Sequence, residues 1–249
     1  MSATTEPRPA PIAPTPAPVR DAVVVGDDGV PRCSWASSDA EYRRYHDEEW
    51  GVPQHDSRAL FEKICLEGFQ AGLAWITILR RRPAFREVFH GFEPERVAAM
   101  DETDVERLLG DARIIRHRGK IEATIANARA TLGLELPLNE LVWSFAPAAA
   151  APERHSWADV PAITPESAAL SAELRRRGFR FVGPTTMYAL MQATGMVDDH
   201  IQGCFRAASA SGQGSPGLTL QTRGRAGGGT RPTPGFSLTI GLRPCPTAG

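Results

Sequence analysis

The chain has 249 residues, 42% hydrophobic and 23% charged, enough for one sizeable domain or two small ones with an ordinary buried core. No apolar run reaches the ~18 residues of a bilayer span, and the N-terminus lacks the apolar stretch of a secretory signal, so a cytoplasmic protein is expected. The formal charge of −1 is unevenly spread, with no acidic residue from Arg206 onward, so any nucleic-acid surface has to be a local patch.

Residues 1–30 are rich in Pro and Ala and read as an extended, disordered arm without a core of its own. From residue 31 the dominant period is helical. Asp56 or Ser57 is suited to cap a helix that turns Leu60, Phe61, Ile64 and Cys65 inward. Pro94 fits the first turn of a helix carrying Val97, Ala98 and Met100. Asp101 with Asp104 opens another, with Val105, Leu108 and Leu109 inward. Ile121, Ile125, Ala128 and Leu132 share one face of a longer helix, closed by Gly133. Thr164-Pro165 and Pro184 start two more, the last ended by Gly195. No strand alternation interrupts the series, so residues 31–205 form an all-α domain. Residues 206–249 are rich in Gly, Ser, Pro and Arg and read as a disordered tail.

Three groups of residues carry chemistry. Cys33, His46, His200 and Cys204 are of the types that close a tetrahedral zinc site, and four ligands without an open position make the metal structural. At i and i+4, His200 and Cys204 would project from one helix face. The competing reading is a core cysteine, two surface histidines and a cysteine near a helix end. Cys65 reads as a buried inert thiol and Cys245 has no ligand neighbours; four cysteines in a cytosolic chain do not make a disulfide framework. His55, His90, His117 and His155 stand isolated.

Glu67 follows an apolar face and has Tyr42, Tyr45, Trp50 and Trp75 nearby in sequence. A carboxylate in an aromatic pocket is one reading; by spacing alone, rings at this density are more often core. The third group is "LLGDARIIRHRGKI", two helical segments around a turn loaded with Arg113, Arg116, His117, Arg118 and Lys120. A helix N-terminus with basic side chains suits a DNA backbone, and a solvated basic loop is its competitor.

"RCSWASSDAEYRRYHDEEWGVPQHDSRALFEKICLEGFQAGLAWITIL", "DARIIRHRGKIEATIANA" and "GFRFVGPTTMYALMQATGMVDDHIQGC", in this order, closely resemble the bacterial type I DNA-3-methyladenine glycosylases over residues 31–205. The resemblance implies a helix-hairpin-helix DNA glycosylase fold in which a structural Zn2+ on Cys33, His46, His200 and Cys204 ties the two ends of the domain together. It also implies a monomeric, monofunctional enzyme that flips N3-alkylated adenine out of double-stranded DNA and excises it, leaving an abasic site. Glu67 would hydrogen-bond the flipped base, Tyr45 and Trp75 would sandwich it, and Tyr42 and Trp50 would line the pocket. Gly72 and Leu73 would enter the gap in the duplex, while Arg116, Arg118 and Lys120 of the hairpin would hold phosphates. The chain departs from some relatives at Phe69, where they carry Gln, and its hairpin lacks the Gly-x-Gly of other hairpins of this class. A glycosylase tuned to bulkier N3-alkyl adenines and a zinc-stapled DNA-binding module without catalysis are the alternatives. A carboxylate in an aromatic pocket argues against the second.

Overall fold

The computed structural model describes residues 22–207. Among them nine α-helices and one small hairpin make up most of the regular structure, and no helix is long and apolar enough to cross a membrane. Several helices start on a side-chain cap, among them those expected at Asp56, Asp101 and Thr164. Asp39 caps α1 (Ala40–Glu48), accepting from the Glu41 amide, and Asp56 caps α2 (Ser57–Gln70), accepting from that of Ala59 at 2.8 Å. Beyond α3 (Trp75–Val88), Pro94 opens the short α4 (Pro94–Ala98), and Asp101 and Asp104 close a reciprocal cap on α5 (Glu102–Gly110). Next come α6 (Arg118–Leu132), α7 (Leu138–Trp143), α8 (Pro165–Arg176), capped by Thr164, and α9 (Pro184–Ala193).

The core is built around α2, which packs on α3, α6, α7 and α9. The expected amphipathic stripe of α2 extends all the way round: every residue from Leu60 to Phe69 is buried, Glu62, Lys63 and Glu67 included. Charges in that position need partners. Lys63 Nζ donates to Glu49 Oε1 at 2.6 Å, and Arg82 of α3 joins Glu49 to Glu62 at 2.7 and 2.5 Å. Glu67 has no such partner. On α6, Ile121, Ile125 and Ala128 are buried, but Leu132 is 48% exposed, because it is the last residue of the helix, where Gly133 turns the chain.

The structure corrects three expectations. The 1–30 arm is drawn too long: Val23–Val25 (β1) pairs antiparallel with Pro31–Cys33 (β2), Val23 opposite Cys33. The short valine run is hidden beside a Pro-rich stretch, and Gly29, at φ 75°, makes its turn. His200 and Cys204 do not share a helix face. α9 ends at Ala193, and the chain through 198–204 turns on itself, the His200 amide donating to Asp198 Oδ1 and the Cys204 amide to the Ile201 carbonyl. Buried Asp199 pins this segment to α9, accepting from Tyr188 Oη at 2.6 Å and Gln192 Nε2 at 2.8 Å, and it pairs with Arg154 at 2.8 Å. The third correction, at Lys120, belongs to the site. The rest of the arm, residues 1–21, and the tail from 208, with Cys245, lie outside the described residues.

Candidate active site and metal cluster

A cavity of about 290 Å³ opens beside Glu67, and Tyr42, Tyr45, Trp50 and Trp75 all line it. α1 contributes the tyrosines, α2 the carboxylate and the first residue of α3 the tryptophan. Ala74 at the N-cap of α3 has no side chain to cap with; the Tyr42 hydroxyl does so instead, accepting from the Ile76 amide at 3.0 Å. Tyr42 therefore fixes the start of the helix that carries Trp75. The Tyr45 and Trp75 rings stand 5.7 Å apart and tilted by 53°, adjoining at one side of the cavity. They are not parallel plates, and a base enters between them only if they part.

Glu67 is 5% exposed, and no hydrogen bond from the described residues holds its carboxylate. Burial pushes its carboxyl up from 4.5 to about 7, and Lys63, one helical turn earlier, pulls the other way. The Lys63 ammonium lies 5.6 Å from the Tyr45 ring centroid. The Tyr45 hydroxyl is also pushed well up, first by burial and then by the charge of Glu67. Trp75 Nε1 in the same wall is buried and meets no acceptor at full hydrogen-bond geometry among the described residues, though it lies near enough to the Tyr45 hydroxyl to oppose that shift. The pocket thus has one acceptor and one donor unmet, among rings that favour a flat cation.

Behind the aromatic wall lies a second polar group. Sulfur and imidazole atoms of Cys33, His46 and Cys204 lie within 4.8 Å of one another, with Cys204 Sγ 3.4 Å from His46 Nε2. The Cys204 thiol is pulled down to about 4 by hydrogen bonding with Cys33 and His46, while that of Cys33 is pushed up by the same partner. The His200 ring stands 5.1 Å from that of His46, outside the tight three but facing it. Each histidine spends Nδ1 on a carboxylate, His46 on Asp47 at 2.8 Å and His200 on Asp198 at 2.7 Å. His200 Nε2 is buried with no hydrogen-bond partner among the described residues. Gly51 makes room for it, since a Cβ there would come 2.6 Å from His200 Cε1. Trp50 connects the two sites, lining the cavity while its ring centroid sits 4.5 Å from that of His200.

Residues 35–207 match the family model for methyladenine glycosylases. The chain belongs to that family. It is 54% identical over 177 residues to DNA-3-methyladenine glycosylase 1 of Escherichia coli K12, spanning 70% of this chain and 95% of that protein. A crystal structure of 3-methyladenine DNA glycosylase I, also 54% identical, matches with a TM-score of 0.69 over 71% of this chain and 100% of that one. A tyrosine-to-phenylalanine variant of 3-methyladenine DNA glycosylase I in complex with 3-methyladenine is 34% identical, with a TM-score of 0.68 over 72% of this chain and 98% of that one. The mostly helical architecture is the one expected of a methyladenine glycosylase.

Around this cavity the structure sorts the remaining expected residues. Gly72, at φ 82°, and Leu73, 38% exposed, lie in the short loop between α2 and α3. In the turn 111–117 before α6, Arg116 is exposed and carries no ion pair. Arg118 is committed to Glu102, Glu106 and Glu122, and Arg113 to Glu87 and Asp111, so their charges are largely met within the protein. Lys120 is the correction: its ammonium points inward, donating to the carbonyls of Phe69 at 2.8 Å and Ala71 at 2.7 Å at the end of α2. Its place one turn into α6 puts it on the face toward α2, so it braces the loop and does not reach a phosphate. The His117 side chain caps the Lys120 amide, while the Arg118 and Gly119 amides find no acceptor among the described residues. Phe69 turns away from the pocket into a cluster with Phe85 at 4.6 Å and Phe89 at 6.0 Å.

Sequence reading missed Trp35, Trp157 and Gln192, which also line the cavity. A signal was present. Of five tryptophans in the chain, Trp35, Trp50, Trp75 and Trp157 meet here, an uneven use of a rare residue. Trp157 arrives from the loop before α8, its Nε1 donating to Ser34 Oγ at 3.1 Å, a contact that no local pattern announces.

Proposed function

We propose that the Glu67 cavity receives a 3-methyladenine flipped out of double-stranded DNA and that the chain, a cytoplasmic monomer, cleaves its N-glycosidic bond. One observation carries this reading: a buried carboxylate with no protein partner, walled by Tyr45, Trp50 and Trp75. Alkylation at N3 leaves the base cationic, so the bond to C1′ breaks with its electrons going to a base that departs neutral. Water supplies the hydroxyl at C1′ and releases its proton, leaving an abasic site. Glu67 pairs with the cation and accepts from its exocyclic amine, and the rings favour its flat positive face. No strong base is required of Glu67. Neither lysine serves as an amine nucleophile: Lys63 is paired with Glu49 and Lys120 is spent on two carbonyls, so strand cleavage is not expected.

Gly72 and Leu73 fill the gap in the duplex, and the hairpin of α5 and α6 takes phosphate through Arg116 and the free amides at the start of α6. Cys33, His46, His200 and Cys204 suit a structural Zn2+. Two thiols, one already favoured as thiolate, meet two imidazoles whose Nδ1 atoms are oriented by carboxylates, and the unspent His200 Nε2 is the atom a fourth ligand would use. Such an ion would tie β2 and α1 to the segment after α9 and add no reacting group.

The test is to incubate the protein with methylated duplex DNA and identify the purine set free. Release of 3-methyladenine with alkali-labile sites left behind is the expected result. Binding of the duplex without any free base would leave a DNA-binding module instead.

A further inference from the structure

Among the described residues, three other than glycine have positive φ: His90, Phe92 and Phe181. The first two flank Gly91 in a tight turn, and Phe92 is fully buried, so packing accounts for that turn. Phe181 differs. At φ 57° it holds a backbone conformation that residues with a Cβ rarely adopt, yet the residue is 40% exposed. Apolar burial does not account for a strained aromatic on the surface.

The turn is held in place from both sides by buried polar groups. Asn127 of α6 clamps residue 180, its Oδ1 accepting from the Arg180 amide at 2.7 Å and its Nδ2 donating to the Arg180 carbonyl at 3.1 Å. Ser171 of α8 donates to the Val182 carbonyl at 2.6 Å. Both side chains are almost fully buried, and Phe179 and Val182 anchor the turn in the core on either side of the exposed ring. The ring is thereby set where two DNA-facing elements meet. Its Cβ would lie 3.2 Å from a Cβ placed on Gly68, next to Glu67 and one turn before the Gly72–Leu73 loop. Its centroid is 6.3 Å from that of His117, the residue that caps α6 at the hairpin. Phe181 does not line the base cavity.

We propose that Phe181 is a DNA-contacting residue, an apolar prop that packs against the duplex beside the extruded nucleotide, between the Leu73 loop and the phosphate-binding hairpin. This rests on the DNA face assigned above. An aromatic ring offers its face to a sugar or an exposed base edge with little sequence preference. Arg180, exposed beside it, adds a positive charge for the backbone. The strained turn keeps the ring outside the cavity, so it acts on the duplex and not on the free base.

The strain makes the proposal separable from folding. Glycine accepts positive φ without penalty and asparagine tolerates it, so Phe181→Gly and Phe181→Asn keep the turn while removing the ring. Both variants should melt within a few degrees of the parent and bind free 3-methyladenine equally well by tryptophan fluorescence. Their kcat/KM for base release from methylated duplex should fall about tenfold, with matching loss of affinity for an abasic-site duplex. Unchanged duplex kinetics in both variants, while Leu73→Ala and Arg116→Ala weaken duplex binding, overturns the role of Phe181 and leaves the DNA face standing. If all four changes are without effect on the duplex, the DNA face itself is misplaced. Parallel losses for free base and duplex would make Phe181 a support of the cavity, which also overturns the proposal.

Discussion

The Glu67 cavity and the cysteine–histidine cluster adjoin through Trp50, yet they treat their polar atoms in opposite ways. In the cluster each imidazole is oriented by a carboxylate, and the thiols hydrogen-bond one another and His46. In the cavity Glu67 has a charge nearby but no hydrogen bond to hold it, and Trp75 Nε1 is likewise unmet. A site whose ligands are pre-aimed suits an occupant that stays. A site that leaves a buried acid unsatisfied suits one that comes and goes, because the protein supplies no substitute between visits.

This contrast can be broken most forcefully at its two centres. Glu67→Gln should lower kcat/KM for 3-methyladenine release by a hundredfold or more, at about the loss seen when a single buried charge-stabilising group is removed. Chromatography of the released bases measures it, and a loss under threefold would show that the cavity acid is idle. Cys204→Ala should drop bound zinc from about one per chain to near none and destabilise the fold by several kcal/mol. Elemental analysis with thermal melts checks this, and stoichiometric zinc in the variant would end the comparison. Trp75→Ala should weaken base release by roughly tenfold to a hundredfold with zinc content intact, within the range of lost base–aromatic stacking.

Two smaller effects sharpen the electrostatics. A carboxyl raised from 4.5 to about 7 in the folded state keeps its proton there while the unfolded chain has lost it. Stability therefore falls as pH rises through that window, and the cost is complete above about pH 7. Replacing the acid with a neutral isostere should accordingly leave stability unchanged near pH 4.5 and raise it above pH 7, by up to about 3 kcal/mol in urea titrations. Equal stability of the two proteins at pH 8 would deny the raised pKa. Lys63→Met removes the cation that opposes this shift, so the Glu67 carboxyl should rise further and the acidic limb of kcat/KM should move to higher pH by a few tenths of a unit or more. A pH–rate profile that does not move would show that burial alone sets the Glu67 carboxyl and that the Lys63 charge does not reach it.

Much of this was legible in the sequence because it depends on local rules. Asp56, Asp101 and Thr164 start helices by accepting from amides of the next turn, and the prolines at 94, 165 and 184 do so through a fixed φ and the missing N–H. Glu67 and its four aromatic neighbours were named together, though spacing alone favoured core packing, and it took the fold to bring them around one cavity. What stayed hidden depends on contacts between distant segments. Trp157 hydrogen-bonds Ser34 across 123 positions of sequence on its way to the cavity, and Cys204 reaches Cys33 and His46 from a turn where spacing suggested a helix. Lys120 looked like one more cation of a basic hairpin. Only the position of its helix against the end of α2 reveals that its charge is turned inward.

That inward ammonium has a mechanical consequence. By holding the carbonyls of Phe69 and Ala71 from the first turn of α6, it fastens the root of the Leu73 loop to the helix whose first amides find no acceptor among the described residues. Loop and hairpin are thereby tied through one side chain, so a change in loop length that displaced those two carbonyls would also leave the Lys120 ammonium without its partners.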